Sequence, residues 1–403
     1  MQSTQNGGME SLCVDLGAEL ARRGLVVGVI IPEATAFDAL ADRFLAAKTQ
    51  VFRLDTDGRA GRIAQLGRWV RLLHLYRTWR PDVIHLNTGG ATGGLGVIAA
   101  ARAATSATVV ITEHDVPTAH PTRHQRLARQ VLDHLSHAIV TISRKTAAAR
   151  QERLPTAASA SKFGAIPIGI PIRDVSAARR AENRREIRQE LGIHQRAVVI
   201  GSVVRLAPGK GLDDLINAFA LLLREQPCEL LLVGDGPLRQ ELEELAIKRQ
   251  VRDHVHFAGF HADPSPFLDA IDIFALAVLL GSGSVALLEA MAHRVPSVIT
   301  FCGPEEAVIP EQTGLGAPPS NPPALAEALL RLVTSPALRD QLGAAGAAHV
   351  RQHFTIGRVA NDLLDLYAAA KSSGVPTQQR IDWLPNPAYG SSHPYLAIPT
   401  THA

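Results

Sequence analysis

Cysteine is scarce in this sequence. Cys13, Cys228 and Cys302 are the only three among 403 residues. An odd number, far apart along the chain, argues against a disulfide framework or a zinc knuckle and fits a reducing compartment. Long apolar runs are missing too. The most apolar stretch, residues 273–288, is interrupted by Gly281-Ser282-Gly283-Ser284 and bounded by Asp272 and Glu289. It falls short of the roughly 20 residues that a spanning helix needs. The N-terminus is polar, without the apolar region of a secretory signal. A cytoplasmic protein is therefore expected, at most peripheral on the cytoplasmic membrane face. Lysine is also rare: Lys48, Lys145, Lys162, Lys210, Lys248 and Lys371 are all there are.

What is present is an apolar content of 46%, enough for a sizeable core. The net charge of +3 is uneven. Residues 1–170 hold 20 Lys and Arg against 13 Asp and Glu, and the remainder holds 21 against 25. A basic first half and an acidic second half suggest different partners, with anionic lipid or an anionic acceptor on the first and no nucleic acid.

Apolar strand-like runs alternate with amphipathic helices: Val26-Val27-Gly28-Val29-Ile30-Ile31, Val83-Ile84-His85-Leu86, Thr108-Val109-Val110-Ile111-Thr112 and Ala138-Ile139-Val140-Thr141-Ile142. This is the βαβ rhythm of a parallel sheet covered on both faces. The rhythm breaks over residues 154–194, at Pro155, Pro167 and Pro171 and a charged helix over 179–191. It resumes at Ala197-Val198-Val199-Ile200 and Glu229-Leu230-Leu231-Leu232-Val233. The expected fold is α/β, with two Rossmann-like domains facing a central cleft, over residues 1–170 and 171–355. A helix over 356–371 would pack back on the first domain, and residues 372–403, rich in Pro, Ser and Thr, would be loose. One strand is missing from the pattern. Gly7-Gly8 opens a helix with no strand before it, so the first sheet is expected to lack its first strand, through truncation or a late start codon in preference to a sheet genuinely short of its central strand.

Two segments carry the chemistry. Glu289 is a lone carboxylate among apolar residues in Leu287-Leu288-Glu289-Ala290-Met291-Ala292, a costly place for a charge unless something pairs with it. Sugar or ribose hydroxyls would do so. Arg205 and Lys210, in Val203-Val204-Arg205-Leu206-Ala207-Pro208-Gly209-Lys210-Gly211, put two cations behind a strand, which suits a diphosphate. Together with Gly7-Gly8-Met9-Glu10, Pro81-Asp82-Val83-Ile84-His85, Ile166-Pro167-Ile168-Gly169-Ile170 and Val233-Gly234-Asp235-Gly236-Pro237, these segments resemble glycosyltransferase family 4. That family comprises the retaining enzymes of the GT-B fold. The resemblance runs from Gly7 to about Ala370.

The resemblance implies roles position by position. Gly8 matches the glycine whose backbone approaches the donor phosphate. Arg205 and Lys210 match the pair that holds the diphosphate and steadies its departure. Ser282, Gly283, Ser284 and Val285 occupy the loop whose amides face phosphate or donor sugar at a helix N-terminus. Glu289 matches the glutamate that contacts the ribose hydroxyls. His114, in Thr112-Glu113-His114-Asp115, matches the histidine lining the acceptor side, where it would orient a hydroxyl or share a proton. The implied activity is metal-independent hexosyl transfer from a nucleotide-diphosphate sugar to a glycan or lipid-linked acceptor. The acceptor attacks on the face the diphosphate leaves, without a protein nucleophile. The nucleotide sugar is a substrate, and no cofactor is implied.

The chain also departs from the pattern. The family's first motif glutamate falls at Gly281, and Gly283 replaces the usual aromatic of that loop. Losing the carboxylate removes charge-assisted hydrogen bonds of about 1.5–3 kcal/mol each. A non-catalytic nucleotide-sugar-binding or scaffold member is therefore an alternative, and a sugar-nucleotide epimerase another. Gly209-Lys210-Gly211 is not a Walker loop, since no Ser or Thr follows the lysine. Asp55-Thr56-Asp57 reads as a turn rather than a metal pair. A helix over residues 59–80 carries Arg59, Arg62, Arg68, Arg71, Arg77 and Arg80, with Ile63, Leu66, Val70 and Leu73 as its expected inward face. Its basic side, with Arg123, Arg126 and Arg129 as a second strip, would give peripheral membrane contact through 59–80 and 123–129.

Overall fold

The computed structural model describes residues 8–54, 62–89, 93–114, 121–155, 162–279, 283–301 and 306–373. Contacts divide the chain into two units, the first running to Pro171 and resuming at Thr355, the second spanning Ile172–Phe354.

The first unit alternates helix and strand: α1 (Gly8–Arg22), β1 (Gly28–Ile31), α2 (Asp38–Ala46), β2 (Gln50–Arg53), α3 (Arg62–Trp79), β3 (Val83–Thr88), α4 (Leu95–Ala104), β4 (Thr108–Glu113), α5 (Arg123–Leu135), β5 (Ala138–Thr141), α6 (Arg144–Arg153) and β6 (Phe163–Ala165). All its ladders are parallel. Every residue of β4 and β5 is buried, as expected of β-branched runs with helices on both faces. The described strands form two sheets, β1-β2 and β3-β4-β5-β6. No ladder joins β1 to β3 among the described residues, which is where the sequence pattern is one strand short. Ile30 of β1 nevertheless packs on the core built by Ile84, Val109, Ile111 and Ile139.

The second unit holds α7 (Ala177–Glu190), β7 (Val199–Val203), α8 (Leu212–Leu222), β8 (Glu229–Val233), α9 (Arg239–Lys248), β9 (Val255–Gly259), α10 (Ser265–Ala270), β10 (Ile273–Leu276), α11 (Val285–Ala292), β11 (Ser297–Thr300), β12 (Leu315–Ala317), α12 (Pro322–Thr334) and α13 (Pro336–His353). Its six parallel strands run β9-β8-β7-β10-β11-β12 across the sheet. The chain starts in the middle at β7, winds outward one way, then returns to β10 and winds outward the other way. The strand order therefore reverses between β7 and β10, and the crevice at the carboxyl ends of these two strands is where such sheets bind ligands. Leu215, Ile216, Phe219, Leu230 and Leu232, all fully buried, centre its core.

The last helix, α14 (Ile356–Ser373), belongs to the first unit and packs on α1 and β4. Gly169 admits it closely, because a Cβ there would lie 2.5 Å from the Thr355 carbonyl oxygen. Residues 374–403 lie outside the described residues. No described helix is long and apolar enough to cross a membrane.

Two expectations about basic surfaces need correction. The inward face of α3 is made by Leu72 and Tyr76, each 3% exposed, whereas Leu66 and Val70 are 63% and 56% exposed. Leu73 packs on the core as expected, so the correction falls on Leu66 and Val70, and the Ile63 side chain lies outside the described residues. Arg129 does not belong to a surface strip. It is fully buried and paired with Glu113 and Asp133, because α5 turns that position into the unit. Arg123 and Arg126 remain exposed. Arg59 and Asp55-Thr56-Asp57 lie outside the described residues.

Candidate active site

The second unit gathers its candidate residues at the switch point. Arg205 follows β7 and is exposed. Its neighbours hold it in place: Val204 N–H donates to Val233 O (2.9 Å) and Leu206 N–H to Asp235 O (3.1 Å). Gly236 belongs to this contact, since a Cβ there would overlap the Leu206 carbonyl oxygen. The loop Gly234-Asp235-Gly236 after β8 thus serves as the bed on which the Arg205 loop lies.

Lys210 is half-buried in the turn between two left-handed glycines, Gly209 (φ 81°) and Gly211 (φ 61°). Gly211 is also the N-cap of α8. A Cβ at Gly211 would overlap the carbonyl oxygen of Ala277, just past β10. Leu279 N–H donates to Gly209 O (2.9 Å). The lysine turn is therefore stitched to the segment that leads into α11.

On α11, Ser284 is the N-cap and its Oγ accepts from Leu287 N–H (3.2 Å). Val285 opens the helix, and Glu289 sits half-buried one turn on. Gly283 has φ 130°, a conformation that side chains rarely adopt, so the missing aromatic matches a backbone that favours glycine. Gly281 and Ser282 lie outside the described residues. Arg205, Lys210, Gly283, Ser284, Val285 and Glu289 thus belong to the carboxyl-end loops and following helix of two hydrogen-bonded neighbours, β7 and β10. Helix α8 aims its positive end at the same edge.

The first unit carries Gly8 and His114. Gly8 is the exposed first residue of α1, and Gly7 lies outside the described residues. His114 follows β4 directly and is 7% exposed. Its Nε2–H donates to Asn87 Oδ1 on β3 (3.0 Å). Burial pushes its pKa down to about 4, so the imidazole is neutral at pH 7. Beside it, His85 sits between Tyr367 Oη of α14 and Thr112 Oγ1, 2.7 Å from each. Burial, then the neighbouring His114, hold its pKa at about 4 as well.

Sequence reasoning missed Asn87, His85, Thr112 and Tyr367. The available signal was a pair of polar i, i+2 residues, His85 with Asn87 and Thr112 with His114, at the ends of otherwise apolar strands. It also missed the buried partners of Arg129, of which Asp133 stands at i+4. Among the described residues, no group of three or more His, Cys, Asp or Glu is arranged to hold a metal ion.

The chain matches the family Glycosyltransferase Family 4 over residues 6–173 and the family Glycosyl transferases group 1 over residues 183–349. Over 203 residues it is 32% identical to the GDP-mannose-dependent monoacylated alpha-(1-6)-phosphatidylinositol monomannoside mannosyltransferase of Corynebacterium glutamicum, covering 48% of this chain and 52% of that protein. Over 190 residues it is 30% identical to the alpha-D-kanosaminyltransferase of Streptomyces kanamyceticus, covering 46% and 48%. The matched part spans about half the length of these relatives. Among solved structures, HepE of Anabaena in complex with UDP-glucose superposes with a TM-score of 0.77 at 21% identity, covering 92% of this chain and 98% of that one. A glycosyltransferase from Rickettsia africae gives 0.77 at 15% identity, covering 91% and 96%. The parallel sheets of the two Rossmann-like units are those of the GT-B fold, and the chain belongs to the group 1, family 4 glycosyltransferases.

Proposed function

We propose that this chain is a retaining, metal-independent glycosyltransferase that moves a hexose from a nucleotide-diphosphate sugar to a glycan or lipid-linked acceptor hydroxyl. The observation that carries the reading is the stitched edge of the second sheet, where the Arg205 and Lys210 loop is hydrogen-bonded to the segment before α11. A departing diphosphate gains negative charge as the bond to the anomeric carbon breaks. Cations carried on a backbone-stitched loop beside the positive end of α8 would stabilise that charge. Glu289, one helical turn into α11, is assigned to the ribose hydroxyls, and the Gly283-Ser284-Val285 amides to phosphate or sugar. Gly8 is assigned to the donor phosphate. His114, held neutral, is assigned to orienting the acceptor hydroxyl, whose proton leaves with the diphosphate. HepE was solved with UDP-glucose and the Corynebacterium relative is named for GDP-mannose, which supports a nucleotide-sugar donor.

A lipid-linked acceptor would bring the chain to the cytoplasmic face of a membrane. The exposed Leu66, Trp69 and Val70 of α3, with Leu127 and Val131 of α5 beside Arg123 and Arg126, support such a contact.

Calorimetric titration with UDP-, GDP- and ADP-sugars, followed by donor hydrolysis and an acceptor panel, tests the reading. Binding of one class is expected, with a loss of at least 100-fold in Lys210→Glu. Unchanged affinity in that variant removes the diphosphate assignment. Gly281, where the family has a carboxylate, favours a second reading as a nucleotide-sugar-binding protein without turnover. Binding without hydrolysis or transfer across the panel would establish it. NMR of the products without acceptor would reveal an epimerase, and with acceptor would report whether the anomeric configuration is retained.

A further inference from the structure

Four charged side chains are buried together under the end of β4. Glu113 is its last residue, Arg129 and Asp133 lie one turn apart on α5, and Arg150 is on α6. Their exposures are 6%, 0%, 0% and 1%. They close into a ring. Arg129 pairs with Glu113, and its Nε donates to Asp133 Oδ1 (2.9 Å). Arg150 reaches Asp133 Oδ2 (2.6 Å) and approaches Glu113 Oε2 (3.4 Å). Arg150 also donates to the Leu154 carbonyl and lies over the Phe163 ring, 5.9 Å from its centre. The ring is neutral as a whole, with two carboxylates against two guanidinium groups.

A hydrophobic cluster of the same volume would commonly hold these elements together as well or better, because desolvating four charges is expensive. What a closed ionic ring adds is direction. Each guanidinium bridges the two carboxylates, hydrogen-bonded to Asp133 and ion-paired with Glu113, so the Glu113 side chain is held between two charges rather than among packed rotamers. Glu113 immediately precedes His114. Successive strand residues face opposite ways. The ring grips β4 from the α5 and α6 side. On the other side, Thr112 meets His85, which meets Tyr367 of α14, and His114 meets Asn87. Backbone bonding completes the hold, since His114 N–H donates to Thr88 O (2.9 Å).

We propose that Arg129, Asp133 and Arg150 are positioning residues: by holding Glu113 they fix the end of β4 and, through it, the imidazole of His114. The inference rests on the acceptor-side role assigned to His114 above, and its test is chosen to separate the two. In protein labelled with ¹⁵N-histidine, the ring nitrogens of His114 report tautomer and exchange directly, with no donor present. A His114→Asn difference spectrum assigns them. The wild type is expected to give two well-separated ring shifts, with the proton on Nε2. Asp133→Asn should draw the two shifts together as the imidazole samples both tautomers. It should also lower turnover of UDP-glucose at least 10-fold, with KM within 2-fold.

A ring that only stabilises the unit would lower the urea midpoint and leave the His114 resonances at their wild-type positions, and that result overturns the proposal. Should Asp133→Asn not fold, Arg150→Lys keeps the charge while losing the fork, and the same comparison of resonances decides. If His114→Ala turns over UDP-glucose as the wild type does, the role given to His114 fails, while the resonance shift still reports whether the ring positions it.

Discussion

Gly211 offers the sharpest test of how the lysine turn is built. Replacing it with alanine meets two separate obstacles. The backbone is left-handed there, φ 61°, which disfavours an L-residue by about 1–2 kcal/mol. In addition, the new Cβ would overlap the Ala277 carbonyl oxygen, and backbone cannot swing aside as the end of a side chain can. Forcing that contact open is an overpacking of about 1–3 kcal/mol. The hydrogen bond from Leu279 to Gly209 lies in the same seam, so its loss adds about 1 kcal/mol. The expected destabilisation of Gly211→Ala is about 3–6 kcal/mol. Gly209 supplies the control two residues away. It is also left-handed, φ 81°, but nothing lies within 4 Å of its added Cβ. Gly209→Ala should therefore carry only the backbone part, about 1–2 kcal/mol. Urea unfolding of both variants with a common slope measures the difference. Calorimetry with UDP should show the larger loss in Gly211→Ala, because moving that seam displaces Lys210. Equal destabilisation of the two variants, within about 0.5 kcal/mol, would refute the seam as the cause.

Acid should weaken the first unit through two buried histidines. His85 and His114 both have folded pKa values of about 4 against an ordinary 6.5, so between those limits the unfolded chain binds protons that the native state refuses, and stability falls with pH. The pair should lose on the order of 3 kcal/mol between pH 7 and pH 5, and His114→Asn should remove about half of that loss in urea melts. In the second unit, Arg188 is fully buried and joins α7 to Asp272 (2.7 Å) and to the carbonyls of Ala197 and Ala270 (2.8 Å each). Arg188→Met should destabilise by about 3–5 kcal/mol, read from the urea midpoint, because Asp272 and the two carbonyls lose their buried partner. For the membrane face, Leu66→Ser with Trp69→Ser should cut flotation with anionic vesicles at least 5-fold. Unchanged flotation would remove α3 from the contact.

Much of the architecture was legible because parallel strands buried on both faces leave a strong imprint. Val109-Val110-Ile111 and Leu230-Leu231-Leu232 are unambiguous runs of this kind, and both are fully buried. The edges at which Arg205, Lys210 and Glu289 stand were legible from the punctuation around them. Gly209 and Gly211 mark the turn, and Ser284 marks the helix start. The helix faces were not legible. On α3 the apolar residues spread over much of the helix circumference, with Leu66 and Val70 exposed while Leu72 and Tyr76 are buried. Periodicity alone then gives no unique inward direction.

Arg129 escapes sequence reading for a different reason. Arginines are assigned to solvent because an unpaired buried charge is prohibitively expensive. That rule fails when the partners come from elsewhere in the chain, and in this ring only Asp133 stands at helical spacing from Arg129. Glu113 reaches the ring from a strand, and Arg150 from the following helix, 17 residues beyond Asp133. Arg188 repeats the pattern in the second unit, where Asp272 stands 84 residues away. In both units, then, a buried arginine fastens a helix to the sheet through a carboxylate that belongs to the sheet side. In the first unit that carboxylate ends β4, beside His114; in the second, Asp272 directly precedes β10 and also receives the Val199 N–H of β7 (2.8 Å). The strands so fastened are the ones whose carboxyl ends carry the candidate residues. A fixed strand is what a preorganised cation or imidazole requires, since a site that must reorganise loses the electrostatic advantage it was built to supply.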